Sequence, residues 1–188
     1  MLETATRLMQ GGATPSVSEV AEAAQVSRAT AYRYFPSQAA LVHAVVDAAL
    51  GPILDWNSGS ADATDRVENL FRTSLPRIQE FEATFRAALR LSLDQWARRR
   101  AGALGEEPKL TRGHRMDLLR DALAPLRSQL PKPQIDKLAQ ALSLFFGVEA
   151  IIVLEDIWGL NDTEAEDVAV WAAKALIAAA VSATGEFA

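Results

Sequence analysis

Apolar residues recur at helical spacing along nearly the whole of this 188-residue chain. Leu2, Ala5, Leu8 and Met9 share one face of a first helix over residues 2–10, and the Gly11-Gly12 pair ends it. The same spacing predicts an all-α fold. Further helices are predicted after Ser16 and over residues 28–34, 38–50, 65–81, 82–99, 114–126, 134–158 and 164–183.

The last two predicted helices differ from the others in composition. Residues 134–158 are apolar nearly all round, so this helix must be covered on more than one side. Residues 164–183 are rich in alanine, which lets helices approach closely. Such a pair can form a four-helix bundle with a second copy, or the core of a monomer. The candidate dimerisation residues are Gly147, Ile151, Trp171, Ala175 and Ala179.

Residues 16–50 combine two short helices, a tight turn and a longer helix. Ser16 is a candidate N-cap, and Glu19 three residues later completes a capping box. Gln25 and Val26 fall in the turn, and Ser27 caps the second helix. Pro36 ends that helix, and Ser37 caps the next one. This order is typical of a helix-turn-helix, in which the second helix enters the major groove of DNA.

The outward residues of the second helix suit contact with DNA. Arg28 and Arg33 carry charge for phosphates or guanine edges, and Thr30 offers a hydroxyl to a phosphate. Tyr32 can contact a phosphate or a thymine methyl group, whereas Ala31 and partly Tyr34 face inward. A generic amphipathic helix pair remains an alternative. The candidate DNA-binding residues are Ser16, Ser27, Arg28, Thr30, Tyr32, Arg33 and Gln38.

The string VSRATAYRYFPSQAAL resembles the DNA-binding domain of the tetracycline-repressor (TetR) family of bacterial transcriptional regulators. That family has a small residue and Val-Ser at the turn, then Thr-x-Tyr-x-(His/Tyr)-Phe, then Ser-Lys-x-x-Leu. The corresponding stretches here, residues 25–27, 30–35 and 37–41, read QVS, TAYRYF and SQAAL. The resemblance implies a helix-turn-helix domain over residues 1–50 and a helical ligand-binding and dimerisation domain over residues 51–188.

The resemblance also implies a function. Regulators of this family bind a near-palindromic site on double-stranded DNA as homodimers, and a small-molecule effector releases them. We therefore expect a repressor of this kind with an unidentified effector. The alternative is a helical ligand- or partner-binding protein with weakened DNA affinity.

Two departures from the family pattern have physical consequences. Gln25 stands where glycine is usual, and a positive φ at a non-glycine residue costs on the order of 1 kcal/mol. Gln38 stands where a lysine would reach a phosphate, so we expect weaker and less salt-sensitive binding. Residues 1–50 carry three arginines against four carboxylates, which confines the positive charge to the second helix of the motif.

Composition excludes several other classes of protein. The chain has a net charge of −5, no cysteine and two histidines, His43 and His114. Disulfides and cysteine-based sites are therefore excluded, and no metal site or cofactor is expected. No nucleophile elbow, phosphate loop or dinucleotide fingerprint is present, so we do not expect an enzyme. The chain shows no signal peptide and no run of apolar residues long enough for a membrane, which predicts a cytoplasmic protein.

The middle helices contain candidate residues for an effector pocket. Glu149 is a carboxylate in an apolar run and is either the polar group of a pocket or the partner of an arginine such as Arg86 or Arg90. The aromatic candidates can equally be ordinary core residues. The predicted ligand-binding residues are Phe85, Leu89, Trp96, His114, Phe145 and Glu149.

Overall fold

The computed structural model describes residues 1–110 and 113–182, and every regular element among them is helical. The α-helices are α1 (Leu2–Gln10), α2 (Val17–Ala23), α3 (Arg28–Tyr34), α4 (Gln38–Leu50), α5 (Ala63–Glu80), α6 (Glu82–Arg100), α7 (His114–Ala122), α8 (Lys132–Leu142), α9 (Val148–Ile151) and α10 (Asp162–Ser182). Two 3-10 turns, Gly51–Asp55 and Ala124–Ser128, follow α4 and α7. The all-α prediction is confirmed. The predicted end of the last helix, Ala183, lies outside the described residues.

The chain divides into two compact units. The amino-terminal unit combines Met1–Gly51 with the described part of Phe81–Arg112, and the second unit combines Pro52–Glu80 with the described part of Gly113–Ala188. The sequence assigned α6 to the second domain, whereas its Ala87, Ala88 and Leu91 belong to the core of the amino-terminal unit. The boundary between residues 50 and 51 stays a prediction.

The core of the amino-terminal unit joins α6 to the helices of the helix-turn-helix segment. Ala5 and Met9 of α1 are fully buried, as are Leu41, Val42 and Val45 of α4. These apolar side chains share one cluster with the inner face of α6, so α6 packs directly on α1 and α4. The core therefore holds α6 in the same body as the helix-turn-helix.

Helix α6 presents a different face to this core than its sequence predicts. Leu93 and Trp96 continue the helical spacing of Phe85 and Leu89 in the sequence, which predicts that they share the inner face, but their side chains are 58% and 63% exposed. Gln95, which is only 2% exposed, takes the inner position instead. Its Oε1 accepts a bond from Leu110 N at 2.9 Å, and its Nε2 donates to Pro108 O at 3.0 Å. Because the buried amide is satisfied by the following loop, a polar residue faces inward and Trp96 faces solvent.

In the second unit, α5 packs against α10. Phe71 of α5 is fully buried, and its ring lies 5.1 Å from that of Phe146. On the outer side, Lys174 Nζ lies 2.6 Å from a Glu68 carboxylate oxygen, and Arg72 Nη1 lies 2.7 Å from Glu166 Oε1. The Lys174 ammonium, followed by the Arg72 guanidinium, lowers the pKa of Glu68. Ion pairs thus connect the two helices above their apolar contact.

The predicted single helix over residues 134–158 is wrong. The structure ends α8 at Leu142, begins the short α9 at Val148 and continues it as a π-helical segment, Ile152–Ile157. Gly147 lies in the break with φ +129° and ψ −179°, a conformation open essentially to glycine alone. Arg115 of α7 spans the break, with Nη1 3.3 Å from Ser143 O and Nη2 2.8 Å from Glu149 Oε2. A side chain distant in sequence therefore bridges a break within an otherwise helical pattern.

Among the described residues, one stretch has the length and mean hydropathy of a membrane span. It is Gln38–Asp55, 18 residues with a mean hydropathy of 1.2. The stretch is not one α-helix, because α4 ends at Leu50 and a 3-10 turn follows. Leu41, Val42 and Val45 are fully buried in the amino-terminal unit, so packing accounts for the apolar character of α4.

Candidate nucleic-acid interface

Helix α2 begins with the predicted capping box. The Ser16 hydroxyl accepts a bond from Glu19 N at 3.2 Å, and Ser16 N donates to Glu19 Oε2 at 2.7 Å. This backbone N–H bond lowers the pKa of the Glu19 carboxyl, because it favours the ionised form. Val20 and Ala21 are fully buried, which seats α2 in the core. The hydroxyl of Ser16 is thus already engaged in starting the helix.

The turn between α2 and α3 has the predicted strained residue. Gln25 adopts φ +54° and is the non-glycine residue with a positive φ in the described part of the chain. Val26 N then donates to Ala21 O at 2.9 Å, which closes the turn under the two helices. Ala21 and Ala31 are both fully buried, so their small side chains let α2 and α3 approach closely.

Helix α3 is fixed at its start and along its inner side. The Ser27 hydroxyl accepts a bond from Thr30 N at 3.2 Å and donates to Thr30 Oγ1 at 2.9 Å. Ala31 is buried, whereas Arg28, Tyr32 and Arg33 are exposed. The Tyr32 hydroxyl lies 3.3 Å from Ser18 Oγ, which positions the phenol against α2. Short local contacts therefore hold a helix that presents two guanidinium groups and a phenol to solvent.

Tyr34 is more exposed than predicted, because the sequence placed it partly inward. Its side chain is 66% exposed, and the Arg33 guanidinium lies over its ring at 5.5 Å from the centroid. Helix α3 ends at Phe35, which has an extended backbone, is half-buried and takes the inward position instead. Tyr34 is thus an additional exposed residue of α3. An aromatic residue next to an arginine was the feature of the sequence that could have indicated its exposure.

Gln38 does not project freely from the start of α4. Its Nε2 donates to Thr14 O at 3.0 Å and to Pro15 O at 3.1 Å. These bonds tie α4 to the connection before α2, so the side chain is half-buried. Of the seven predicted DNA-binding residues, Ser16, Ser27 and Gln38 build the motif. Those displayed outward are Arg28, Tyr32 and Arg33, with Thr30 half-buried between them.

The predicted effector-binding residues are divided between the two units. In the amino-terminal unit Phe85 is buried, Leu89 is half-buried and Trp96 is exposed. In the second unit His114 and Phe145 are half-buried, and the arginine that pairs with Glu149 is Arg115. A cleft of about 620 Å³ in the second unit includes none of these residues. It is lined by Arg120, Arg127, Leu130, Lys132, Ile135 and Asp136.

The predicted dimerisation residues also separate into two groups. Trp171, 71% exposed, lies with the exposed Ala175 and Ala179 at helical spacing along α10. Gly147 and Ile151 are buried within the chain itself, so neither is exposed for contact with a second copy. The structure exposes other large apolar side chains of the same two terminal segments, which are Leu144, Val153, Ile157, Trp158 and Val168.

Comparison with known proteins agrees with this geometry. Residues 1–45 match the family model of bacterial regulatory proteins, tetR family. The structure is similar to a TetR transcriptional regulator from Rhodococcus sp. RHA1, with 21% sequence identity, a TM-score of 0.61 and coverage of 94% of this chain and 92% of that chain. It is also similar to a Clostridium perfringens protein provisionally named a fatty acid metabolism regulator, with 16% identity, a TM-score of 0.57 and coverage of 90% and 93%.

A comparison with curated proteins finds no match. At 21% and 16% identity, the two solved structures show a shared fold. The family match covers the capped helices, the turn and most of α4. The amino-terminal segment, residues 1–45, thus matches the tetR family of bacterial regulatory proteins, and the chain as a whole shares the fold of these two solved structures.

Proposed function

We propose that this protein is a transcriptional repressor that binds double-stranded DNA in the bacterial cytoplasm through α3. The observation that carries the proposal is the outward display of Arg28, Tyr32 and Arg33 on a helix whose inner side is anchored by Ala31. A helix of this kind in a helix-turn-helix enters the major groove and reads base edges with its amino-terminal residues.

The side chains of α3 suit two kinds of contact. Arg28, in the first turn, can donate two bonds to a guanine edge, whereas Arg33, in the last turn, suits a phosphate. Tyr32 offers both a hydroxyl for a phosphate and a ring for a thymine methyl group. We therefore assign sequence preference mainly to Arg28 and Tyr32.

We further propose that the repressor is a homodimer. The exposed row of Val168, Trp171, Ala175 and Ala179 on α10 is an apolar surface for a second copy. A two-fold dimer would set two α3 helices one helical repeat apart, about 34–36 Å, on a near-palindromic operator. One copy of a seven-residue helix offers few contacts, so two copies are needed for useful affinity.

The proposed release of the repressor by a small-molecule effector draws on the family resemblance. Within the amino-terminal unit, Phe85 and Leu89 remain candidates for effector contact, and Phe145 and His114 remain candidates in the second unit. Trp96 is less suited to an enclosed pocket, because its side chain is largely exposed.

Fluorescence anisotropy with a duplex from the region upstream of the protein's own gene tests DNA binding. We expect the wild type to prefer this duplex to a scrambled one. Arg28→Ala and Tyr32→Ala should each weaken specific binding by roughly 5- to 100-fold, because each removes a base-directed contact. Arg120→Ala, which removes an exposed arginine of the second unit, is the matched control and should leave the affinity unchanged.

Two results would contradict the proposal. Absence of any binding at low salt would favour the alternative, a helical ligand- or partner-binding protein with weakened DNA affinity. Equal binding to both duplexes, unaffected by Arg28→Ala, would show that α3 does not read the sequence.

A further inference from the structure

The helix-turn-helix segment itself has little positive charge for a DNA-binding surface. Residues 1–51 contain three arginines and four carboxylates. Position 38, which the family resemblance assigns to a phosphate-directed lysine, is a neutral glutamine whose amide is bonded to Thr14 O and Pro15 O. Because contacts with phosphates supply most of the affinity of DNA-binding proteins, another source of positive charge is needed.

Helix α6 brings such charge into the same unit. It carries five arginines and two carboxylates over Glu82–Arg100 and packs on α1 and α4. Two of the arginines are paired: Arg86 Nη2 lies 2.5 Å from Glu82 Oε1, and Arg98 Nη1 lies 2.8 Å from Glu107 Oε2. These pairs reduce the net charge that Arg86 and Arg98 present to a nucleic acid.

Arg90 is placed differently from those two arginines. Its side chain is exposed, and its Nη1 donates to Gly12 O at 3.2 Å, in the connection between α1 and α2. Across the residues that the structure describes, no carboxylate pairs with its guanidinium. A guanidinium has five N–H donors, so this single bond to a carbonyl leaves most of them, and the full charge, available.

Arg90 and Gln38 hold neighbouring carbonyls of the same short connection. Gly12 accepts the bond from Arg90, and Thr14, two residues later, accepts one from Gln38. Consecutive Cα atoms are about 3.8 Å apart, so the Cα atoms of Gly12 and Thr14 are at most about 7.6 Å apart. Arg90 therefore bonds to the same short connection as Gln38, the position at which the resemblance expects a lysine to meet the DNA backbone.

We propose that Arg90 of α6 supplies the phosphate-directed positive charge that position 38 lacks. The role presupposes the DNA-binding function proposed above. A long arginine from outside the helix-turn-helix is fixed on Gly12 O and contacts the DNA backbone beside the start of α4. It contributes to affinity for any duplex sequence, whereas Arg28 and Tyr32 contribute to preference among sequences.

The test compares wild type, Arg90→Gln and Arg100→Gln by fluorescence anisotropy over a series of salt concentrations. Arg90→Gln should weaken binding to the upstream and scrambled duplexes by the same factor, roughly five- to tenfold, and lower the salt slope by about one. Glutamine keeps a neutral N–H donor without the charge, and an unchanged melting temperature would verify the fold. Arg100→Gln removes the same charge about 15 Å further along α6 and should leave binding unchanged.

A rescue experiment sharpens the test. Gln38→Lys in the Arg90→Gln protein restores a cation beside the same connection, so it should recover most of the lost affinity and salt dependence. If affinity does not recover, the proposal that positions 38 and 90 serve the same stretch of DNA backbone is wrong. Wild-type affinity in Arg90→Gln, or an equal loss in Arg100→Gln, would overturn the specific role of Arg90. If the wild type binds no duplex at low salt, the DNA-binding function and this role both fall.

Discussion

Gln25 shows how a single residue carries strain inside a well-capped motif. Its φ of +54° is a left-handed conformation, which L-residues other than glycine adopt at a cost of about 1 kcal/mol. The side chain is exposed and Val26 N bonds to Ala21 O, so the turn closes in spite of the strain. The motif therefore retains its geometry through Ser16, Ser27 and its buried alanines, and it does so without the usual glycine.

Replacement of this residue by glycine should stabilise the protein. Gln25→Gly removes the steric strain at positive φ, and we expect the free energy of unfolding to rise by up to about 1 kcal/mol. Ala24→Gly is the matched control: Ala24 has φ −88°, so glycine there only adds chain entropy and should lower stability by about 0.5–1 kcal/mol. Urea unfolding measures both. A loss of stability in Gln25→Gly would contradict the assignment of strain.

At the scale of elements, the break between α8 and α9 is a point where the structure differs from the helix that the apolar spacing predicts. The residues on both sides of the break are apolar at helical spacing, and that spacing predicts one helix. The chain instead turns at Gly147, and Arg115 bonds to Ser143 O and Glu149 across the gap. The break allows Phe146 to lie beside Phe71 within the core of the second unit. Local preference for a helix is thus overridden by packing and by one ion pair.

Gly147→Ala should be costly for two reasons. Its φ of +129° with ψ −179° disfavours any side chain, and an added Cβ would lie 3.0 Å from Arg115 Nη2 and 3.2 Å from Glu149 Oε2. We expect a loss of about 2–3 kcal/mol in the free energy of unfolding. Gly159→Ala is the control, because Gly159 also has a positive φ, +70°, but its Cβ would meet no atom within 4 Å.

The control variant should lose only about 1 kcal/mol, the cost of the left-handed conformation alone. Chemical unfolding of both variants compares the combined cost of backbone strain and close contact at Gly147 with the cost of an ordinary left-handed position at Gly159. Equal losses in the two variants would show that the contact with Arg115 does not constrain the break.

At the scale of the whole molecule, exposed apolar side chains form the surface that we propose for a second copy. The terminal segments expose several large apolar residues, and Trp158 and Trp171 are 73% and 71% exposed. Exposed large apolar side chains that cluster on a protein surface commonly mark an interaction site. Trp171 lies at the centre of the row on α10, so burial of its indole would contribute substantially to an interface.

Trp171→Glu should convert the proposed dimer into a monomer, because it places a charge within the apolar row. Light scattering at micromolar concentration measures the change. Trp96→Glu introduces the same substitution at an exposed tryptophan of α6, outside the proposed interface, and should leave the dimer intact. A monomeric wild type, or a dimer that survives Trp171→Glu, would exclude this surface as the interface.

Much of the molecule could be predicted from short stretches of sequence. The caps at Ser16, Ser27 and Ser37, the turn at Gln25 and the bounds of α1 to α4 depend on residues within four positions of one another. Such local bonds form wherever the side chains are correctly spaced. The outward position of Arg28 and Arg33 follows from the same local geometry, because Ala31 marks the inner side of α3.

Only the tertiary structure decided the features that depend on distant partners. Gln95 faces inward because Pro108 and Leu110 bond to it, and Arg115 of α7 bonds across the break that follows α8. The bond between Arg90 and Gly12 joins residues 78 positions apart. The periodicity of a sequence shows which positions are apolar. It does not show which distant group will form the hydrogen bond that a buried amide or a backbone carbonyl requires. By itself the sequence determined the capped helices and the turn of the helix-turn-helix, and packing determined which distant side chains bond to that segment.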